Sequence, residues 1–121
     1  MNPAKMPKKI AIIGAGPAGL FMYKALIEAA TEPLHITLFE KQDRAGLGMP
    51  YSTAGACTEH VTNVSANEIP SIVTPLAEWI KNAPEALLQK FCMDVESFHE
   101  YKVLPRLFAS KEAASQLYCV V

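Results

Sequence analysis

Lys9-Ile10-Ala11-Ile12-Ile13-Gly14-Ala15-Gly16-Pro17-Ala18-Gly19-Leu20 decides the fold. After Lys9 its first residues, Ile10 to Ile13, are apolar and rich in β-branched side chains, as in a strand buried on both faces of a parallel sheet. The glycine cluster ends that strand. From Pro17 the chain runs Ala-Gly-Leu-Phe-Met-Tyr-Lys-Ala-Leu-Ile-Glu-Ala-Ala, good helix formers with Leu20, Ala25, Leu26 and Ala29 able to face a sheet. This helix is expected to end near Thr31 to Pro33. His35 to Phe39 then alternates as a second strand. Strand, helix and strand in roughly 30 residues make a βαβ unit, with parallel strands and a right-handed crossover.

Gly14-Ala15-Gly16-Pro17-Ala18-Gly19 has the form GxGxxG. Alone the string is a common glycine turn, and its context is what carries meaning. It leaves a predicted strand, opens a predicted helix, and is followed about 20 residues later by Glu40 at the end of the second strand, which is the dinucleotide-binding fingerprint. Each residue type has its own reason. Gly14 permits the tight turn, Gly16 admits a pyrophosphate close to the backbone, and Gly19 allows close packing of helix on sheet. The helix N-terminus offers free N–H groups and partial positive charge to phosphates. Glu40 would accept hydrogen bonds from both hydroxyls of an adenosine ribose and repel a 2′-phosphate, which favours FAD or NAD over NADP.

Beyond Glu40, Gly, Pro, Ser, Thr and Asn dominate to about residue 72, reading as a long ordered loop of the kind that covers a ligand. Thr74 is expected to cap a helix with Pro75 at its first position, carrying Leu76, Trp79, Ile80 and Ala83 on one face. Trp79 reads as core. Pro84 should end that helix and open another through Phe91, and a last helical pattern runs from about Leu107 to Leu117. The fold class is therefore α/β, a Rossmann-like parallel βαβ unit with a long loop and C-terminal helices. Two strands cannot bury both faces of a doubly wound sheet, and only Leu117 to Val121 hints at another. The chain reads as the N-terminal part of an incomplete domain, a fragment of a larger protein.

Composition narrows the function. The 121 residues carry 11 basic and 12 acidic side chains, a formal charge of −1, which argues against a nucleic-acid binder working through a basic field. Half the residues are apolar and 19% charged, an ordinary globular balance. Cys57, Cys92 and Cys119 are widely spread with no CxxC, so neither a disulfide framework nor a metal site is signalled, and a reduced cytoplasmic setting is expected. Lysines ahead of the apolar stretch from Ile10 to Leu26 imitate a secretory signal, but glycines and Pro17 interrupt it and no small-x-small cleavage site follows. No membrane span is expected elsewhere.

With these residues in hand, the chain resembles the N-terminal FAD-binding region of the FAD/NAD(P)-binding flavoprotein oxidoreductases. Gly-Ala-Gly-Pro-Ala-Gly-Leu followed by Leu38-Phe39-Glu40-Lys41 is the form usual there for FAD, and it brings Lys41 into the expected cofactor-binding set. The resemblance continues through Gly46-Leu47-Gly48-Met49-Pro50-Tyr51-Ser52, His60-Val61-Thr62-Asn63-Val64-Ser65-Ala66, Trp79-Ile80 and Pro105-Arg106-Leu107-Phe108. These resemble the GxGxPYS, HxxNVxA, WL and PRxLFG strings of one largely bacterial branch, with Ala109 where that branch has glycine. The resemblance implies that Gly46, Gly48, Pro50, Tyr51 and Asn63 lie close to a flavin. Arg106 can meet a phosphate or stand on the surface.

The resemblance further implies an FAD-dependent oxidoreductase in which this region holds the ADP half of FAD, a later domain takes NAD(P)H or substrate, and the isoalloxazine carries the hydride. Two other readings stand beside it: a non-catalytic nucleotide-binding module, and a plain NAD-binding module. Cys57 and His60 sit three apart without a third ligand or a base, so neither metal binding nor nucleophilic catalysis is expected of them.

Overall fold

A computed structural model describes residues 6–117, with side chains for 6–111. The chain forms two compact units that meet between Gly48 and Met49.

The first unit is the βαβ element. Strand β1 (Lys8–Ile13), helix α1 (Pro17–Ala29) and strand β2 (Leu34–Phe39) follow in order. The strands pair in parallel, Lys8 opposite Leu34 through Ile13 opposite Phe39. This is the α/β Rossmann-like unit expected from the alternation of periods, displaced by at most a few residues at each boundary. The expected burial on both faces is not what β1 shows. Ile10, Ile12, Leu34, Ile36 and Leu38 are half-buried on the face that α1 covers, while Ala11, Ile13, Thr37 and Phe39 point to the other face and are exposed. Ile13 is 80% exposed. One crossover helix covers one face only. The same narrow contact explains a second correction: along α1, Leu20 is buried and Leu26 half-buried, but Ala25 and Ala29 are exposed, because a two-stranded sheet is too narrow to receive a wider stripe.

The second unit is built from short helices. After single turns of 3-10 helix at Met49–Tyr51 and Ala66–Glu68 come α2 (Leu76–Lys81), α3 (Glu85–Lys90) and α4 (Arg106–Leu117). Pro75, not Thr74, occupies the cap position of α2. A proline there already has the extended ψ of 139° that leads into a helix, so the hydroxyl is not needed at that place. Pro84 likewise opens α3. The core is formed by Ala66, Leu76, Ile80, Leu104 and Phe108. Trp79 and Phe91 pack edge-on against the Phe108 ring, with centroids 5.5 and 5.7 Å away.

The long loop is held by pairing with the segment before α4. Val61 forms an antiparallel bridge with Pro105. Thr62 N–H donates to the Leu104 carbonyl at 2.8 Å, and Leu104 N–H returns a bond to the buried Thr62 hydroxyl at 3.1 Å. Ala66 and Asn67 N–H groups donate to Lys102 and Glu100 carbonyls. These bonds satisfy a loop that is otherwise without a ladder. Of the stretch Leu117 to Val121, which only hints at a further strand, Leu117 is the last residue of α4 and residues 118–121 lie outside the described residues.

Candidate functional site

The glycine loop joins the end of β1 to the start of α1. Gly14 turns with φ of +89°, a conformation that favours glycine, and its N–H continues the sheet ladder to Phe39 at 2.8 Å. Gly19 faces back onto this turn: a Cβ there would collide with the Gly14 carbonyl oxygen. Close packing of α1 on β1 therefore depends on it. Gly16 is the cap residue of α1, Pro17 follows at the first helical position, no side chain caps this end, and the first turn contains no acid. The first-turn N–H groups are thus left for an acceptor supplied from outside the helix.

Glu40 closes the site from β2. Its Oε2 accepts the Ala15 N–H at 2.9 Å and its Oε1 the Gln42 N–H at 2.9 Å. Those two donors, Gln42 first, hold its carboxyl below the usual carboxylate range, outweighing partial desolvation. The group is a stable anion at neutral pH with further acceptor capacity. A carboxylate fixed beside an amide-rich helix start is the donor set that a dinucleotide requires: acceptors for ribose hydroxyls, donors for phosphates.

Other expected site residues fall into place unevenly. Gly46 is buried and donates its N–H to the Ala15 carbonyl, so Ala15 is held from both sides, by Glu40 at its N–H and Gly46 at its oxygen. Ala15 braces the loop. Gly48 lies against Gly16, whose Cβ would stand 3.4 Å from the Gly48 Cα. Gly14, Ala15, Gly16, Glu40, Gly46 and Gly48 are thus gathered within the first unit, while Ala18 and Lys41 are exposed on it. Pro50, Tyr51 and Asn63 belong to the second unit. Asn63 is exposed, and its Oδ1 accepts a bond from Arg106 Nη2 at 2.8 Å. Arg106 is committed to the protein rather than free at the surface, donating Nε to the Val61 carbonyl at 2.8 Å as well. Nothing in the short string Pro-Arg-x-Leu-Phe signalled this link.

Cys57 and His60 do approach each other, the Cys57 N–H reaching His60 Nδ1 at 3.4 Å. No group of three metal-ligating side chains occurs among the described residues. An open groove of about 540 Å³, lined by residues that include Tyr23, Ile27, Glu32, His35 and Ile36, lies at the far end of α1 and shares no lining residue with the glycine loop. No helix among the described residues is long and apolar enough to cross a membrane.

Comparison with known proteins agrees with this geometry. The chain is 36% identical over 114 residues to the uncharacterized protein YdhS of Escherichia coli strain K12, a match covering 94% of the chain and 21% of that relative. The chain thus spans about a fifth of the relative's length. No solved structure matches it. Residues 11–115 match the family described as FAD-NAD(P)-binding, and the chain, which carries that family's dinucleotide-binding unit for a flavin or nicotinamide cofactor, belongs to it.

Proposed function

We propose that the chain is the FAD-binding N-terminal region of an FAD/NAD(P)-dependent oxidoreductase and that it holds the ADP moiety of FAD. The observation that carries the reading is Glu40 fixed on Ala15, which sets an anionic ribose acceptor next to the uncapped start of α1. Gly14, Gly16, Pro17, Ala18 and Gly19 form the pyrophosphate turn, with Ala15 as its brace. Lys41, Gly48, Tyr51 and Asn63 are further contacts on the strength of the motif resemblance. In this reading FAD supplies hydride chemistry when bound, and this chain's residues bind and orient it. NAD(P)H or substrate is taken by a part of the protein outside these 121 residues. The proposed compartment is the cytoplasm, from the scattered cysteines.

The test is a visible absorption spectrum of the purified chain after incubation with FAD and removal of free ligand. Retained flavin bands are the expected result, and their loss in Glu40→Arg supports the ribose contact. Folded protein without bands overturns the FAD reading. The same carboxylate chemistry suits the adenosine ribose of NAD, so tighter binding of NAD than of FAD favours an NAD-binding module. Nucleotide binding with no NAD(P)H oxidation in the longest natural form favours a non-catalytic module.

A further inference from the structure

Ala15 is held at both of its backbone groups by one stretch of chain within the first unit. Its N–H donates to Glu40 Oε2 at 2.9 Å, and its carbonyl accepts the Gly46 N–H. Ala15 is 2% exposed and Gly46 is buried, whereas Lys41 to Ala45 between the two anchors are exposed and lie outside any helix or strand. The stretch is thus a strap hung from two sheltered points on a single residue. Gln42 N–H bonds back to Glu40 Oε1 at 2.9 Å and turns the strap toward its first anchor. The anchors differ in kind, the Glu40 bond being charge-assisted and set at the end of β2, the Gly46 bond neutral. Ala15 stands between Gly14 and Gly16, the residue type that least restricts a backbone. The direction of its carbonyl therefore depends on what holds its N–H, and that is Glu40.

We propose that residues 40–46 form a latch: the Glu40 carboxylate, by fixing Ala15, keeps Gly46 bound and the 41–45 strap closed on the glycine turn, and a bound dinucleotide strengthens the closure. The second half rests on the reading of Glu40 as the ribose acceptor. Its sign follows from the acceptor capacity of a carboxylate, whose two oxygens offer about four positions. Ala15 and Gln42 take two of them, so ribose hydroxyls donate to Glu40 without displacing the latch. A ligand that meets Glu40 in the closed geometry binds the closed state better and shifts the strap toward it.

The test is amide hydrogen exchange read by NMR in the full chain. The Gly46 amide reports the strap, and the Gly14 amide, bonded to the Phe39 carbonyl in the sheet ladder, reports the fold. Glu40→Ala leaves both partners of the Gly46 bond in place, yet it should speed Gly46 exchange about tenfold, the effect of one lost charge-assisted hydrogen bond, with Gly14 unchanged. Unchanged Gly46 exchange overturns the latch, and so does equal acceleration of both amides, which marks a general loosening. Trypsin gives a second reading, because Arg44 lies in the strap and must extend to be cut. Cleavage after Arg44 in the wild-type chain should be at least about tenfold slower than in a peptide of residues 36–50. Equal rates overturn the proposal even where Glu40→Ala does not fold. FAD and NAD, each added at about ten times its Kd from titration calorimetry, should slow Gly46 exchange about tenfold. Binding that leaves this rate unchanged overturns the coupling alone. A chain that binds neither nucleotide overturns the cofactor reading and the coupling together, and the nucleotide-free rates then decide the latch.

Discussion

Glu40 and Ala15, 25 residues apart, are joined by a 2.9 Å hydrogen bond from the Ala15 N–H to a carboxylate oxygen. The bond ties the end of β2 to the turn that follows β1, at the edge where parallel strands of such units receive their ligands. One residue thereby serves two ends. It shapes the glycine loop, and in the proposed FAD reading it is also the anion that meets the ribose.

The bond gives Glu40 a pH signature. Its carboxyl is held below the ordinary value of 4.5, chiefly by the Gln42 and Ala15 N–H groups. For a depressed carboxylate the contribution to stability is complete above the unfolded-state value and is lost as pH falls through the folded one. Glu40→Gln should therefore be less stable than wild type at neutral pH, with the gap closing only below the ordinary carboxylate range. Thermal melts of both proteins across acidic pH check this. A gap that stays constant down to strongly acidic pH would contradict it.

Gly16 and Gly19 of the loop should separate by role. Gly19→Ala forces a Cβ into the Gly14 carbonyl, so α1 must lift from β1, at a cost of roughly 1–3 kcal/mol in denaturant unfolding. Gly16→Ala meets only the Gly48 backbone at ordinary contact distance. Its stability should fall by no more than about 1 kcal/mol, while its FAD retention is lost. Equal loss of stability in both variants would mean that Gly16 is structural.

What the sequence made legible follows from how local each signal is. The change from β-branched alternation to helical spacing, punctuated at Gly14 and Pro17, marked β1, α1 and β2, and the interval to Glu40 marked the loop chemistry. Burial along those elements was not legible, because Ala25 and Ile13 read as covered only if a wider sheet is assumed. Nor was the pairing of Val61 with Pro105, or of Arg106 with Asn63, since bonds spanning more than 40 positions leave no periodic trace. Thr74 misled for a smaller reason: a hydroxyl one residue before a proline looks like a cap, and the proline itself took that place.

Thr62 is the hinge of that long-range pairing. Its hydroxyl is buried, donates to the Val64 carbonyl at 2.7 Å and accepts the Leu104 N–H at 3.1 Å. Thr62→Val keeps the shape and strands a buried N–H and a carbonyl. The expected cost is roughly 1–3 kcal/mol by denaturant unfolding. Thr62→Ser, which keeps the hydroxyl, should recover most of it, and equal losses in the two variants would show that the methyl group rather than the hydrogen bonds matters.

The end of α3 offers a gain rather than a loss. Met93 N–H bonds back to Leu88 at 2.9 Å and Cys92 N–H to Gln89 at 3.1 Å, the paired closure of a Schellman motif. The motif needs a left-handed residue, and Cys92 supplies it with φ of +51°. A Cβ in that conformation crowds the following carbonyl by about 1–2 kcal/mol, part of which glycine gives back through its freer unfolded chain. Cys92 is exposed, so its side chain offers little burial in compensation. Cys92→Gly should therefore raise stability by up to about 1 kcal/mol and Cys92→Val lower it. A calorimetric melt in which the valine variant matches the glycine variant would show that the turn relaxes and carries no strain.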